Sequence, residues 1–252
     1  MTNEENNLKK IQGTIESLPE NFSILEERID IALQGKYFSY AQKRKEKKKL
    51  ENLPEMENQL NHPETKLDQK RKILVRLAGQ DQIESFRIIE RFKKKAKGVI
   101  KKWAVLALQE SRMVMQSSLL GEQQVFISTG LGGKGKKIRY FFAFRKKKID
   151  TPFTPGQDKI IRIELEDFLS RNDGELEKIH LNDGIAYGLF LFPLKKDLQN
   201  NFNTVIEKSN QYGNFLENGV LITNVHALSL NEIKDLINLK KKEKRNRDTF
   251  SE

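Results

Sequence analysis

Apolar positions in the first half of the chain recur at the three- and four-residue spacing of amphipathic helices. This pattern predicts three consecutive helices, over about residues 64–78, 81–95 and 99–119. The third is the most apolar, so we expect it to be buried between its neighbours. Short connections that contain glycine favour antiparallel packing of such helices. A further helix is expected to begin at Asn21 and to end at Gly35.

The pattern changes after Leu120, where runs of β-branched and aromatic residues alternate with helical segments. Predicted strands cover residues 124–129, 138–144, 175–181, 185–192 and 220–225, and predicted helices cover 157–170 and 197–212. The Asp183-Gly184 pair indicates a tight hairpin. From Ile138 the order is strand, helix, strand, strand, helix, strand, which is the split βαβ pattern of ferredoxin-like domains. Residues 124–129 are expected to add a strand to the sheet edge.

One segment of the first half resembles a known repeat. The stretch DQIESFRIIERFKKKAKGVIKKWAVLALQES is similar to one unit of a HEAT-like repeat, with two amphipathic helices. The resemblance covers about Lys66 to Met115, and an ordinary helical bundle is an equal alternative. We therefore predict an α+β protein, with an antiparallel helical, HEAT-like domain before a ferredoxin-like antiparallel sheet with packed helices. The predicted domains are residues 1–120, residues 121–228, and a terminal helix with a basic tail over 229–252, where Ser229 and Glu232 suit a capping box.

Composition excludes several classes of protein. The chain has 252 residues and no cysteine, which excludes a disulfide-stapled domain, a cysteine zinc site, an iron–sulfur protein and a thiol nucleophile. No apolar run approaches the length of a membrane span, and no secretory signal is visible, so we expect a cytoplasmic protein without a membrane partner. The 15 phenylalanines suffice to build a core.

Charge is segregated along the chain. The net charge of +11 arises from 46 basic and 35 acidic residues, yet the first thirty residues are mainly acidic. Five basic clusters follow: Lys43–Lys49, Arg91–Lys102, Lys134–Lys137, Arg145–Lys148 and Lys240–Arg247. If the second cluster were one helix, Lys93, Lys97 and Lys101 would form a stripe along it. Clustered cations are typical of proteins that bind polyanions, although a solvated face of a lysine-rich protein is an equal alternative.

The last four of these clusters, together with Arg139, supply the predicted contacts to phosphates. The candidate nucleic-acid-binding residues are Lys93, Lys94, Lys97, Lys101, Lys102, Lys134, Lys136, Lys137, Arg139, Lys146, Lys147, Lys244 and Arg245. The second cluster could instead bind an acidic protein partner.

The glycine-rich loop Gly130–Lys137 has nearly the spacing of a P-loop. Its last position is Lys137, so the hydroxyl that would bind magnesium is missing. The loop also leads into a predicted strand, whereas a P-loop must open a helix. Two interpretations stay open: a basic hairpin loop that grips a phosphate backbone, and a mobile solvated turn.

The segment Asp183–Phe190 partly resembles the longer signature of the RNA recognition motif. Gly184, Ala186, Tyr187 and Phe190 fit that signature, whereas Asp183, Ile185 and Gly188 depart from it. The resemblance implies base stacking on aromatic side chains of the central strands. The favoured alternative is that the aromatic residues build the sheet core. In that interpretation one strand face, formed by Ile138, Tyr140, Phe142 and Phe144, is buried under helices.

Catalytic and metal-binding patterns are weak. The histidines His62, His180 and His226 lie far apart in sequence and form no ligand pair of metal spacing. We predict no cofactor, and the sequence favours a protein without catalytic activity. The leading hypothesis is a cytoplasmic nucleic-acid-binding protein, associated with RNA or the ribosome. The alternatives are a protein-interaction scaffold that uses the helical surface and an enzyme with a site between the domains.

Overall fold

The structure, a computed structural model, describes residues 19, 22–44, 52–148, 151–196 and 198–236. It divides into two compact units, Met1–Lys136 and Lys137–Glu252. Helices dominate the first unit and an antiparallel sheet the second, which confirms the predicted α+β class. None of the helices in the described ranges combines the length and the apolar character that a bilayer crossing requires.

The first unit is built around a long central helix. Its elements are β1 (Ser23–Ile24), α1 (Ile31–Gln42), α2 (Leu53–Asn61), α3 (Leu67–Ala78), α4 (Ile83–Lys95), α5 (Gly98–Leu120), β2 (Phe126–Ile127) and β3 (Gly133–Lys134). Helix α5 contacts both α3 and α4, and its Trp103 is completely buried. Leu25, Tyr37, Leu60 and Leu74 surround it in one apolar core. The three predicted helices of this half are therefore present, and the middle of the third, from Trp103 to Leu108, is buried in this core.

The start of the chain differs from the prediction. The helix expected from Asn21 to Gly35 is wrong: residues 22–30 are not helical, and α1 begins at Ile31 and continues through Gly35. Asp30 is the true N-cap, because its carboxylate accepts the amide hydrogen of Leu33 at 3.1 Å.

The strand predicted at 124–129 also pairs elsewhere. β2 lies parallel to β1, with Ser23 opposite Phe126, and does not join the antiparallel sheet of the second unit. The amide of Ser23 donates to the carbonyl of Val125, and the amide of Leu25 donates to the carbonyl of Ile127, both at 2.9 Å. Because these two segments satisfy each other's backbone groups, the residues after α5 belong to the first unit.

The second unit has the predicted order of strands and helices. Its elements are β4 (Lys137–Arg145), α6 (Pro155–Arg171), β5 (Glu175–Asn182), β6 (Ile185–Pro193), α7 (Leu198–Asn210) and β7 (Leu221–Thr223). Within this unit the strands lie in the order β7–β4–β6–β5, and each neighbouring pair is antiparallel. This is the split βαβ arrangement. The hairpin between β5 and β6 turns at Asp183 and Gly184, both with positive φ, as a type I′ turn requires.

Helices α6 and α7 cover one face of this sheet. The core there contains Phe142 and Phe144 of β4, together with Phe190 and Phe192 of β6. Tyr140 is half-buried and stacks on Phe190 with ring centroids 5.6 Å apart. The prediction that this strand face is core is confirmed. Beyond β7, Ser229 and Glu232 form the predicted capping box at the start of a short helical segment over 230–236.

Candidate nucleic-acid interface

Six lysines surround the connection between α4 and α5. Lys93, Lys94 and Lys95 lie in the last turn of α4, Lys97 is the N-cap of α5, and Lys101 and Lys102 follow one turn later. All of them except Lys93 are exposed. We call the exposed group of Lys94, Lys95, Lys97, Lys101 and Lys102 the lysine corner.

The corner is not the stripe along one helix that the spacing suggested. α4 ends at Lys95, Ala96 has extended backbone (φ −66°, ψ 147°) and Gly98 has a left-handed φ of 59°. The expectation that Lys93, Lys97 and Lys101 line one helix face is therefore wrong. Ala96 is buried at the break between α4 and α5. The chain turns there, so that the apolar face of α5 packs against the core.

The lysines at the start of α5 are placed against its dipole. Lys97 makes no side-chain cap, and the first turn of this 23-residue helix carries no acidic residue. Cations at a helix N-terminus are unfavourable by about 0.3–1 kcal/mol each at the surface. Lys94 lies 3.9 Å from Glu90, whereas Lys97, Lys101 and Lys102 have no acidic partner among the described residues. Positive charge is therefore concentrated where helix stability alone would favour acidic side chains.

Lys93 points away from this group and takes part in a separate cavity. Its Nζ lies 3.0 Å from Oε1 of Glu27. The cavity measures about 510 Å³ and also receives Glu26, Arg112 and Lys136. Two basic clusters that lie far apart in sequence thus meet at one cavity. Because two carboxylates share it, the cavity carries mixed charge and is a weaker anion site than the corner.

The glycine-rich loop is anchored to the segment after β1. The amide of Gly135 donates to Oε1 of Glu26 at 3.1 Å, and Gly132, with φ 71°, is buried against the carbonyl of the same glutamate. These contacts hold the loop against the segment after β1. An amide that a P-loop would offer to a phosphate is occupied by a carboxylate, and β4 follows the loop as predicted. Lys134 and Lys136 are exposed, and each already interacts with another group.

The remaining predicted residues in the second unit are largely engaged in contacts within the protein. Arg139 forms a two-pronged ion pair with Glu177, at 2.5 and 2.7 Å. Lys146 is 8% exposed and donates to the carbonyl of Pro152 at 2.9 Å. Lys147 is exposed and donates to Oδ1 of Asn214. These contacts stabilise strand ends and leave less charge for a ligand. Lys137 is half-buried at the start of β4, and the predicted Lys244 and Arg245 lie outside the described residues.

The sheet face opposite α6 and α7 presents little aromatic surface. Phe141 is 2% exposed, and Leu189 beside it is also buried. Tyr187 is half-buried and is stacked under the exposed ring of His180, with centroids 5.4 Å apart. Phe141 therefore has no free ring face for a base, and stacking on the central strands, as in the RNA recognition motif, finds no support here.

The three histidines have separate surroundings. His62 accepts the amide hydrogen of Glu64 through Nδ1 at 3.3 Å, and Nε2 of His226 lies 3.8 Å from Glu232. In the parts of the chain that the structure describes, no group of three or more histidine, aspartate and glutamate residues could hold a metal ion.

A polar network inside the first unit was not predictable from local sequence pattern. The hydroxyl of Tyr37 donates to Glu110, whose other carboxylate oxygen accepts from Arg44 at 3.0 Å. Burial, followed by the nearby Glu110 carboxylate, raises the pKa of Tyr37 well above its usual range. Arg44 also donates to the carbonyl of Val75 at 2.9 Å. The network thus ties α1 to α3 and α5, and it joins residues too distant in sequence for local pattern to reveal.

A second cavity of the first unit was likewise not anticipated from the sequence. It measures about 530 Å³ and lies between the end of α1 and one face of α3. The single local signal for it is the i, i+4 spacing of Asp68 and Lys72, which form an ion pair at 2.8 Å.

Comparison with known proteins adds no family. No protein-family model matches the chain, and no curated protein is similar to it in sequence.

Proposed function

We propose that the protein binds RNA through its phosphate backbone, and that the lysine corner is the main contact surface. The observation that carries this proposal is the concentration of exposed lysines at the N-terminus of α5, where three of them have no acidic partner among the described residues. A phosphate placed there would meet the positive end of the helix dipole together with the ammonium groups. Binding would thus offset the unfavourable placement of these lysines.

The chemistry of the corner favours contact with phosphates over contact with bases. Lysine offers a point charge without the two-pronged geometry that arginine uses for guanine. The arginine nearest to the corner in sequence, Arg91, is already held by Glu57 and Glu84 at 2.8 Å. Such contacts position a polynucleotide without reading its sequence, so the protein would bind RNA with little sequence preference. RNA on the ribosome is one such target.

The proposal also covers the helical surface that carries the corner, the cellular compartment and the secondary contacts. We propose that α3, α4 and α5 form a HEAT-like surface on which the corner is displayed, and that binding takes place in the cytoplasm. Lys134, Lys136, Lys147 and the basic tail are secondary contacts in this proposal. Arg139 and Lys146 contribute less, because Glu177 and the carbonyl of Pro152 already bind them.

A salt titration tests the proposal. Binding of a fluorescent single-stranded RNA is measured by polarisation between about 50 and 300 mM salt, where phosphate contacts give a steep linear dependence. In a variant with Lys97, Lys101 and Lys102 replaced by alanine, we expect affinity to fall about tenfold or more at moderate salt. The slope of log K against log salt should become shallower by about 2.

A charge-matched variant is the control. Lys159, Lys178 and Lys196 are exposed lysines of the second unit that lie outside the basic clusters, and their replacement by alanine removes the same net charge. This control should keep most of the affinity. Equal losses in the two variants would show that net charge acts without a defined surface, and absent or salt-insensitive binding would overturn the proposal. A preference for duplex DNA, or a protein partner that survives nuclease treatment and competes at the corner, would also contradict it.

A further inference from the structure

The cavity between the end of α1 and the face of α3 has walls of different chemistry. On one side it is lined by Tyr40, in the last turn of α1, and by Lys43 and Arg44, which follow that helix. On the other side it is lined by Asp68, Lys72, Val75 and Arg76 of α3. The α3 residues recur at the spacing of one helix face, so they form a continuous wall. Val75 is 3% exposed and is the apolar part of this wall, beside the half-buried ring of Tyr40.

Packing and ion pairs hold these walls in place. The ring of Tyr40 contacts Trp103 edge-on, with centroids 5.2 Å apart, and its hydroxyl donates to Oδ1 of Asp68 at 2.6 Å. This hydrogen bond raises the pKa of Tyr40. Arg44 is fixed by Glu110 and by the carbonyl of Val75. A preformed cavity binds a small ligand at a lower entropic cost than one that must be ordered.

The lining carries an excess of positive charge. Four cationic side chains and a single carboxylate, that of Asp68, line the cavity, and one of the cations, Arg76, also interacts with another group. Asp68 is shared between Lys72 and the hydroxyl of Tyr40, and Glu110 balances Arg44 from behind the wall. A carboxylate that is already bound in this way does not repel an anion as strongly as a free one. Lys43 is exposed at the mouth and has no acidic partner in the described part of the chain.

We propose that this cavity binds a small phosphorylated molecule. The phosphate would contact Lys43 and Lys72, and an apolar or aromatic part of the ligand would lie against Val75 and Tyr40. The volume of about 530 Å³ falls within the range of small-molecule sites. The cavity lies on α1 and α3 and is distinct from the lysine corner of α4 and α5, so this proposal does not depend on RNA binding.

The fluorescence of the single tryptophan of the chain can report ligand binding in this cavity. Trp103 contacts Tyr40, and no other tryptophan contributes to the emission. We expect inorganic pyrophosphate to change the fluorescence of the full chain in a saturable way, at constant ionic strength. Calorimetry with ATP should show binding as well, whereas adenosine, which lacks phosphate, should bind far more weakly. A double variant with Lys43→Ala and Lys72→Ala should weaken the binding of both phosphates by at least about tenfold.

The matched control removes the same charge from the second unit. Lys159→Ala with Lys178→Ala, both at exposed positions, should leave phosphate binding within about twofold of the parent. The Lys43/Lys72 double variant should also retain RNA affinity, which separates failure of this proposal from failure of RNA binding. No saturable binding of either phosphate, or binding that the double variant leaves unchanged, would overturn the proposal. Loss of RNA affinity in that variant without any pyrophosphate binding would assign the cavity to RNA and contradict it equally.

Discussion

At the scale of single residues, glycine decides how closely two segments of the first unit approach. A Cβ on Gly132 would lie 2.4 Å from the carbonyl oxygen of Glu26, whereas a Cβ on Gly135 would meet nothing within 4 Å. Both glycines have a left-handed φ, of 71° and 59°. The two positions therefore separate the cost of close backbone contact from the cost of backbone strain.

We expect the two alanine variants to differ in stability. Gly135→Ala should lower the free energy of unfolding by about 1 kcal/mol through backbone strain alone. Gly132→Ala should cost about 3 kcal/mol or more, because the loop must also move away from Glu26. Urea unfolding followed by circular dichroism measures the difference. Equal midpoints for the two variants would show that the loop does not pack on Glu26.

At the scale of elements, one arginine links two helices of the first unit. Arg91 on α4 binds both carboxylate oxygens of Glu57 on α2 at 2.8 Å, and it also binds Glu84 on its own helix at 2.8 Å. The hydrogen bonds from Arg91 lower the pKa of Glu57, in spite of partial burial. Since the pKa of Glu57 is lower in the folded state, its contribution to stability is present above the ordinary carboxyl pKa. The contribution is lost as pH falls through the folded-state value.

A neutral replacement of Glu57 should therefore have an effect that depends on pH. We expect Glu57→Gln to lower the free energy of unfolding by about 0.5–1 kcal/mol at pH 7. The difference from the parent should vanish in acid, once Glu57 itself is protonated. Glu55→Gln on the same helix is the control, because Glu55 is exposed and lies outside this ion pair. Denaturant titrations at several pH values measure both effects, and a difference that persists in acid would contradict the assignment.

At the scale of the whole molecule, the boundary between the units is a consequence of long-range pairing. Composition changes at Leu120, but the first unit continues to Lys136. β2 pairs with β1, and Phe126 packs on the helical core. The residues that look like the start of the second domain therefore complete the first one.

Fragments test where the first unit ends. A fragment of residues 1–136 should unfold cooperatively, because it keeps one continuous apolar core. A fragment of residues 1–120 loses the partner of β1 and the contact of Phe126. It should be less stable by about 3 kcal/mol, from two lost backbone hydrogen bonds and the lost burial. Calorimetric melting compares the two, and equal melting temperatures would place the boundary at Leu120.

Local pattern predicted most of the elements. The apolar spacing of α3, α4 and α5, the Asp183-Gly184 turn and the core face of β4 lie within short windows of sequence. Within such a window the burial of one face requires apolar residues at the spacing of a helix or of a strand, so the sequence reveals the element. The order of these elements was then enough to predict the split βαβ arrangement of the second unit.

The tertiary structure decided which groups meet across long stretches of chain. The pairing of β1 with β2, the bond from Gly135 to Glu26 and the network of Tyr37, Arg44 and Glu110 all join residues distant in sequence. The sequence showed where the basic clusters lie along the chain, but the tertiary structure decided which of their side chains share one surface. Packing of Ala96 broke the expected stripe and separated Lys93 from the lysine corner. Such contacts depend on which surfaces bury each other, and that choice involves the whole chain.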